Sequence, residues 1–569
     1  MYVRHHETGW LRDLLLLAVV LAIPFIQYLG RLPLMDPDEG RYAEIPREML
    51  ERGDWITPTL NYVHYFEKPP LLYWINALSF KLFGLNEFAA RLPSALCGLL
   101  TVLVTYAVAR RLYGRRTALM SALILGTSSG FVLQSRIILT DMLVTFCLTA
   151  ALGAFICAGL GEQRQRTPLP WYLFWFFCAL AVLAKGLIGI VFPAGIICCY
   201  LLLTRRWHLL GEMRPFSGLL LFLAVAAPWF VAVSLRNPEF ARFFFIHEHF
   251  ERFTSTVHGR YQPFWFFLPV LLAAMLPWSF FIPGALGRAW RDRHHHDGHA
   301  GFYLVIWAAV IFLFFSKSNS KLVPYILPVF PPLAILIGHR LDVLLEGRGR
   351  GLKAATVMLG VTLTCLGCAC LGYARLPQAA ALLTEAMPKW ADPLHQFVIN
   401  APPITPGGAI TLAALFLVQG VVCLAVGRNP RPILVALCLC AFLLEILVPR
   451  LIMEPIAQVE SPRELALKVR SLAGPECRIV TFGPMQAVSW YTGRRVLVAG
   501  KPDELEFGSK QGDQSAWFPD PPALLRLWGS DTPVMIILKK RELDDLLPGL
   551  SPFPRVLAES GRQVLITNR

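Results

Sequence analysis

The chain has 569 residues, of which 55% are hydrophobic and only 16% charged, with a mean hydropathy of +0.52. Soluble globular proteins are nearer a quarter charged, and disordered chains carry far fewer apolar side chains, so both classes are excluded. The net charge of +15 lies in short loops between apolar runs, which is typical of a membrane protein and gives no reason to expect a nucleic-acid partner.

Thirteen apolar runs have about the length and composition of membrane-spanning helices. They begin near Leu11, Arg91, Thr117, Asp141, Trp171, Leu187, Ser217, Phe264, Gly301, Leu322, Ala354, Ala409 and Pro432. Arginine and lysine concentrate in alternate loops, which the positive-inside rule places in the cytoplasm. The segments 30–90 and 235–263 and the C-terminus then lie outside. The sequence predicts a polytopic α-helical membrane protein.

The composition changes after residue 451, where proline, glycine and charged residues return. Short β-like runs at 478–482, 496–498 and 534–538 alternate with helical patterns at 461–472 and 542–547. This segment carries no glycine-rich phosphate loop and no nucleophile elbow. We therefore expect a membrane part over 1–451 and a small α/β domain over 452–569.

The first outer segment, 30–90, holds a candidate helix start. Asp36 is expected to be the N-cap, Pro37 the first helical residue, and Glu39 the end of a capping box. Asp38 shares one helical face with Arg41 and Tyr42, so a carboxylate and a cation would lie together at the membrane surface. Asp36 and Asp38 also have the D-x-D spacing of metal-binding motifs, which alone is a weak signal.

A second cluster follows at residues 65–70. Pro69 and Pro70 stiffen the loop that carries Glu67 and Lys68, and this rigidity favours a role in positioning them. The alternative is an interfacial loop with a snorkelling lysine. The run 71–83 after it has the pattern of an interfacial amphipathic helix.

More polar residues lie at the outer ends of predicted spans. They are Arg136, Asp141, Lys185, Tyr325 and, within 243–260, His249 and Arg252. Ionisable groups are costly in a membrane, and several cations meeting a few carboxylates would suit an anionic lipid phosphate. A histidine of this segment with Glu67 could hold a divalent metal ion, whereas each lysine by itself could simply snorkel.

Residues 38–49 (DEGRYAEIPREM), 53–55 (GDW) and 65–69 (YFEKP) resemble the first outer loop of the bacterial aminoarabinose transferases, which are protein O-mannosyltransferase-like GT-C glycosyltransferases. The resemblance implies a GT-C fold with about thirteen transmembrane helices, a catalytic first periplasmic loop and a small periplasmic α/β domain. It implies transfer of 4-amino-4-deoxy-L-arabinose from undecaprenyl phosphate to a lipid A phosphate at the periplasmic face of the bacterial inner membrane, and thereby polymyxin resistance.

The resemblance also implies roles for individual residues. Asp38, Asp141 and Lys68 carry over as catalytic, and Glu67 with His249 as a zinc-like metal site. The expected donor-phosphate site comprises Lys68, Arg41, Tyr42, Tyr65, Arg136, Lys185, Arg252 and Tyr325.

Two chemical roles for Asp38 remain open. A lipid A phosphate is already anionic and needs no general base, so Asp38 would orient the acceptor or stabilise positive charge on the sugar. A hydroxyl acceptor, as in protein O-glycosylation, would make Asp38 a base.

The alternatives are a GT-C enzyme with another sugar or acceptor and, outside enzymes, a lipid or sugar transporter. The absence of paired inverted repeats disfavours a transporter.

Overall fold

The computed structural model describes residues 9–160, 167–251, 262–295, 298–347, 351–375, 404–425 and 430–569. Helices dominate up to residue 460, because a chain in lipid must satisfy its backbone hydrogen bonds within each segment. The helices before residue 240 are α1 (Trp10–Ile26), α2 (Asp38–Arg52), α3 (Leu71–Phe83), α4 (Glu87–Tyr113), α5 (Arg115–Gly126), α6 (Ser129–Ser135), α7 (Thr140–Gly159), α8 (Leu169–Lys185), α9 (Ile188–Thr204), α10 (His208–Glu212) and α11 (Pro215–Arg236).

The later helices fall into two groups, of which only the second, beyond residue 460, alternates with the strands of a C-terminal unit. Those up to residue 460 are α12 (Phe267–Ala274), α13 (Ile282–Arg291), α14 (His299–Lys317), α15 (Phe330–Leu345), α16 (Leu352–Ala374), α17 (Pro406–Ala425), α18 (Pro430–Val448) and α19 (Glu454–Glu460). Those beyond it are α20 (Arg463–Leu472), α21 (Gln486–Thr492), α22 (Glu506–Ser509), α23 (Pro521–Trp528) and α24 (Lys540–Leu546).

The chain is a multi-pass membrane protein. Within the described residues, eight helices are long and apolar enough to cross a membrane, or up to ten if each of two bent pairs is one crossing. The eight are Glu87–Tyr113, Thr140–Gly159, Pro215–Arg236, His299–Lys317, Val323–Leu345, Leu352–Ala374, Pro406–Ala425 and Leu434–Glu460. Each of the thirteen predicted runs coincides with a helix or a bent pair. Three of these helices, α1, α8 and α9, have 17 residues each, at the short end of what a crossing needs.

The segment between α1 and α4 folds into α2, a two-stranded hairpin and α3. The hairpin pairs β1 (Thr59–Leu60) with β2 (Val63–His64), and α3 has the predicted bounds. The predicted start of α2 is wrong, because the helix begins at Asp38 and Asp36 does not cap it. The Oδ1 atom of Asp36 instead accepts a hydrogen bond from the backbone N–H of Ala487, at 2.9 Å.

Residues after 477 form a five-stranded mixed sheet in the order β4-β3-β5-β7-β6. Its strands are β3 (Arg478–Phe482), β4 (Leu497–Ala499), β5 (Val534–Lys539), β6 (Arg555–Ser560) and β7 (Gln563–Thr567). The first three occur where the sequence predicts strands, whereas the antiparallel hairpin of β6 and β7 was not predicted. The half-exposed β6 lacks the continuous apolar run that marks the central strand β5.

The C-terminal unit packs on the segment between α1 and α4. The side-chain amide of Asn61 donates to the carbonyl of Val496, at 2.9 Å, and its Oδ1 accepts from the N–H of Val496, at 3.1 Å. A Cβ on Gly40 would lie 2.4 Å from the backbone nitrogen of Ala487, so only glycine permits α2 and α21 to approach so closely. This contact places the C-terminal unit beside the first residues of α2.

The Asp36 contact predicts a pH dependence of thermal stability. Burial raises the pKa of Asp36 from 3.8 to about 7, and its Oδ2 has no hydrogen-bond partner in the described part of the chain. A carboxyl group whose pKa is higher in the folded than in the unfolded protein stabilises the fold fully below pH 4, and this contribution is lost as the pH rises towards 7. We expect Asp36→Asn, which keeps the Oδ1 acceptor, to show a smaller fall in Tm between pH 5 and 8 than the wild type. An unchanged fall would contradict this assignment.

Candidate active site

The first turn of α2 places Asp38 and Arg41 together, as the sequence predicts. The Nη2 atom of Arg41 forms an ion pair with Oδ1 of Asp38, and its guanidinium lies 4.8 Å from the centre of the Tyr42 ring. The Arg41 side chain is only 5% exposed, whereas that of Asp38 is 44% exposed. Asp38 is therefore held by a buried cation and remains accessible to a substrate.

Tyr42 lies where the predicted site residues converge. It is buried and stacks on Tyr73, with ring centres 6.2 Å apart. Burial raises the pKa of Tyr42, the nearby Arg41 lowers it, and the carboxylates of Asp38, Glu67 and Asp141 raise it further. Residues from the first turn of α2, the 65–70 loop and the start of α7 thus lie within electrostatic reach of one phenol.

The 65–70 loop presents a carboxylate and an ammonium side by side. The Nζ atom of Lys68 donates to the backbone carbonyl of Glu67, at 2.8 Å, and lies 3.8 Å from its Oε2. Pro70 leads directly into α3, which fixes one end of the loop. Burial raises the pKa of Tyr65, and the charges of Arg41 and Glu67 act on it as well. The loop therefore faces the same cluster as Arg41.

Asp141 and Lys185 form the third part of the site. Asp141 lies in the first turn of α7 and pairs with the ammonium of Lys185, the last residue of α8. Both side chains are about nine-tenths buried. The same ammonium lies 4.7 Å from the ring centre of Tyr325, so Lys185 contacts both of the other predicted residues.

Other predicted site residues are not brought to this cluster by a described contact. Arg136 is buried, and its Nη2 atom donates to the backbone carbonyls of Pro24 and Glu445, the latter at 3.1 Å. Arg252 and the side chain of His249 lie outside the described residues. Their roles stay predictions.

The described residues do not form a metal site. No group of three or more His, Cys, Asp and Glu side chains in the described ranges could hold a metal ion. The nearby Lys68 ammonium would repel a cation bound at Glu67. Asp36 and Asp38 do not act as a D-x-D pair either, since one faces Ala487 and the other Arg41. The zinc-like site therefore depends on His249.

Two carboxylates make contacts beside the site that the sequence did not predict. Glu39 accepts two hydrogen bonds from Arg91, both at 2.7 Å, which ties α2 to α4. This replaces the predicted capping role, although Glu39 also accepts from the N–H of Met35, at 3.2 Å. Glu504 pairs with Nη1 of Arg41 from 463 residues away in the chain, a distance at which no local pattern predicts contact.

Two family models match parts of the chain. Residues 10–244 match the model described as dolichyl-phosphate-mannose-protein mannosyltransferase. Residues 465–568 match the aminoarabinose transferase C-terminal domain. The first match contains Asp38, Lys68, Asp141 and Lys185, and the second contains Glu504.

The chain is also similar to individual proteins. It is 37% identical over 353 residues to the undecaprenyl phosphate-alpha-4-amino-4-deoxy-L-arabinose arabinosyl transferase of Erwinia tasmaniensis, a match that covers 62% of this chain and 63% of that protein. It is 36% identical over 372 residues to the protein of the same description from Pseudomonas aeruginosa, covering 63% of this chain and 65% of that one. The match thus spans less than two thirds of the length of these curated relatives.

A structural match extends over the whole chain. The crystal structure of ArnT from Cupriavidus metallidurans bound to undecaprenyl phosphate superposes with a TM-score of 0.80 and 30% identity, covering 99% of this chain and 98% of that one. The archaeal oligosaccharyltransferase AglB from Archaeoglobus fulgidus, 13% identical, matches with a TM-score of 0.50 over 94% of this chain and 70% of that one, which is a likeness of fold alone. The chain has the GT-C fold and belongs to the aminoarabinose transferase family.

Proposed function

We propose that this protein transfers 4-amino-4-deoxy-L-arabinose from undecaprenyl phosphate to a phosphate of lipid A, and that it thereby gives resistance to polymyxin and other cationic antimicrobial peptides. The observation that carries the proposal is the accessible Asp38 carboxylate, which pairs with the buried Arg41 guanidinium, while Tyr42, Tyr65 and Glu67 lie within electrostatic reach of that guanidinium. The relatives named for this transfer, and the related structure that holds undecaprenyl phosphate, support this donor.

The proposed topology follows the charge pattern of the loops. Thirteen crossings would place 30–90 and 452–569 on the periplasmic side of the bacterial inner membrane, with residues 1–451 as the membrane domain. The packing of the C-terminal unit against α2 is consistent with this arrangement, because it requires both segments on one side.

The reaction breaks the bond between the sugar's anomeric carbon and a phosphate oxygen of the donor. A lipid A phosphate oxygen forms the new bond to that carbon, and undecaprenyl phosphate leaves with the electron pair. Negative charge grows on the departing phosphate, so preorganised cations there lower the barrier. Lys68 is our candidate for this role, with Arg41, Tyr42, Tyr65, Lys185 and Tyr325 lining the donor phosphate and Arg136 and Arg252 as further predicted contacts.

Asp38 acts on the sugar rather than on either phosphate, because a carboxylate would repel the departing and the incoming phosphate alike. With a phosphate acceptor it stabilises the positive charge that develops at the anomeric carbon. Asp141, paired with Lys185, holds a cation at the site. A divalent metal on Glu67 and His249 stays a prediction, and no step here uses it.

The test is mass spectrometry of lipid A from a transferase-deficient Gram-negative strain that still makes the donor. Cells with the wild-type protein are expected to show lipid A heavier by one aminopentose, and cells with Asp38→Asn unmodified lipid A. Asp531→Asn, at an exposed position of the C-terminal unit, is the control and should behave as wild type. Unmodified lipid A with well-inserted wild-type protein, in a strain whose lipid A is a competent acceptor, would contradict the proposal and favour a protein hydroxyl or another glycolipid.

A further inference from the structure

The C-terminal unit contributes one carboxylate to the candidate site. Glu504 pairs with Nη1 of Arg41, while Asp38 pairs with Nη2 of the same guanidinium. The side chains of Arg41 and Glu504 are 5% and 10% exposed, so this ion pair is more deeply buried than the one that Asp38 makes. Arg41 is thus held from two sides by residues of different parts of the chain.

The segment around Glu504 is itself fixed against the site. The ring of Phe507 lies 5.8 Å from that of Phe66 and 4.1 Å from that of Phe243, between ring centres. A Cβ on Gly508 would lie 2.5 Å from the backbone oxygen of His64, so the backbones there are in close contact. Residues 503–509 are therefore packed against the loop that carries Glu67 and Lys68, which restrains the Glu504 carboxylate.

We propose that Glu504 is a positioning residue that orients the guanidinium of Arg41 for the lipid phosphate of the donor. With one Nη atom on Asp38 and the other on Glu504, the buried Nε–H of Arg41 keeps no hydrogen-bond partner in the described part of the chain. That N–H is a donor left for a phosphate oxygen. The C-terminal unit thereby completes the site built by the membrane part.

The second carboxylate acts by preorganising Arg41. The guanidinium of arginine is planar and rigid, so two carboxylates that bind its two Nη atoms also fix the direction of its Nε–H. Without Glu504, the guanidinium would be held by Asp38 alone and would turn about that contact. A misplacement of about 1 Å costs up to about a hundredfold in rate. The negative charge of Glu504 also repels a phosphate, so the gain from orienting Arg41 must outweigh this repulsion.

The experiment measures the Kd for undecaprenyl phosphate and the rate of aminopentose transfer, both on the full-length protein in detergent. Glu504→Gln is expected to raise the Kd about fivefold and to lower kcat/KM for the donor about tenfold. In the Arg41→Gln background, Glu504→Gln should change neither the Kd nor kcat/KM, because Glu504 acts through Arg41. Glu504→Asp should recover part of the loss.

The matched control is Glu506→Gln, two residues along the same segment and 61% exposed. It should bind and transfer as wild type, with a Tm close to that of Glu504→Gln. An unchanged or tighter Kd in Glu504→Gln, or losses that multiply with Arg41→Gln, would overturn the positioning role.

The inference rests on the proposed donor, and the two measurements separate the failures. Wild-type protein that binds undecaprenyl phosphate but transfers no aminopentose would contradict the proposed transfer, and the Kd values would still decide the role of Glu504. Wild-type protein that does not bind this lipid would overturn both.

Discussion

An Asp38→Asn variant is expected to keep its fold and to have a kcat about 10²–10³-fold lower than that of the wild type. The substitution preserves shape and removes the charge that we propose acts on the reacting sugar, and the loss of a single preorganised electrostatic contact typically has this effect on kcat. Arg41 would still pair with Glu504, so the buried cation is not left without a carboxylate. The measurement is the rate of aminopentose transfer to lipid A by purified protein, beside its Tm.

A solvent isotope effect on kcat separates the two roles of Asp38. If the acceptor is a hydroxyl and Asp38 takes its proton, transfer by the wild type is slower in heavy water than in ordinary water. If the acceptor is a phosphate, no proton is transferred and the rate is nearly the same in both solvents. A kcat of Asp38→Asn equal to that of the wild type would show that Asp38 is merely a surface partner of Arg41.

Lys185→Met is expected to destabilise the protein by about 3–5 kcal/mol, because it leaves Asp141 buried without its cation. The same change removes the ammonium from the face of Tyr325, and we expect transfer to fall below detection. A thermal unfolding curve and the lipid A assay measure the two effects. A stable Lys185→Met protein would contradict the buried ion pair.

The double variant Lys185→Met with Asp141→Leu tests whether that pair serves function or only structure. Replacing both partners of a buried pair with apolar residues of similar volume is often neutral for stability. We expect the Tm to return to near the wild-type value and transfer to stay lost. If both the Tm and the transfer activity returned to near the wild-type values, the pair would be purely structural, and Asp141 and Lys185 would not belong to the site.

Local patterns in the sequence predicted much of the site because most of its residues lie in a few short segments of the chain. Asp38, Arg41 and Tyr42 share a helical face through the period of 3.6 residues. Glu67 and Lys68 are neighbours in the chain, and Pro69 and Pro70 stiffen the loop that carries them. Asp141 lies in the first turn of a helix and Lys185 ends one, as hydropathy alone predicts. No local pattern in the sequence predicts that Asp141 and Lys185 pair with each other.

The sequence by itself determined the membrane class of this protein, the approximate position of each apolar helix and the charged residues at the ends of those helices, because hydropathy and charge are properties of short stretches. Only the tertiary structure decided that Glu39 binds Arg91, that Asp36 faces Ala487 rather than capping α2, and that Glu504 holds Arg41. Those contacts join residues far apart in the chain, and burial forces each charged or polar group there to find a partner that no local pattern specifies.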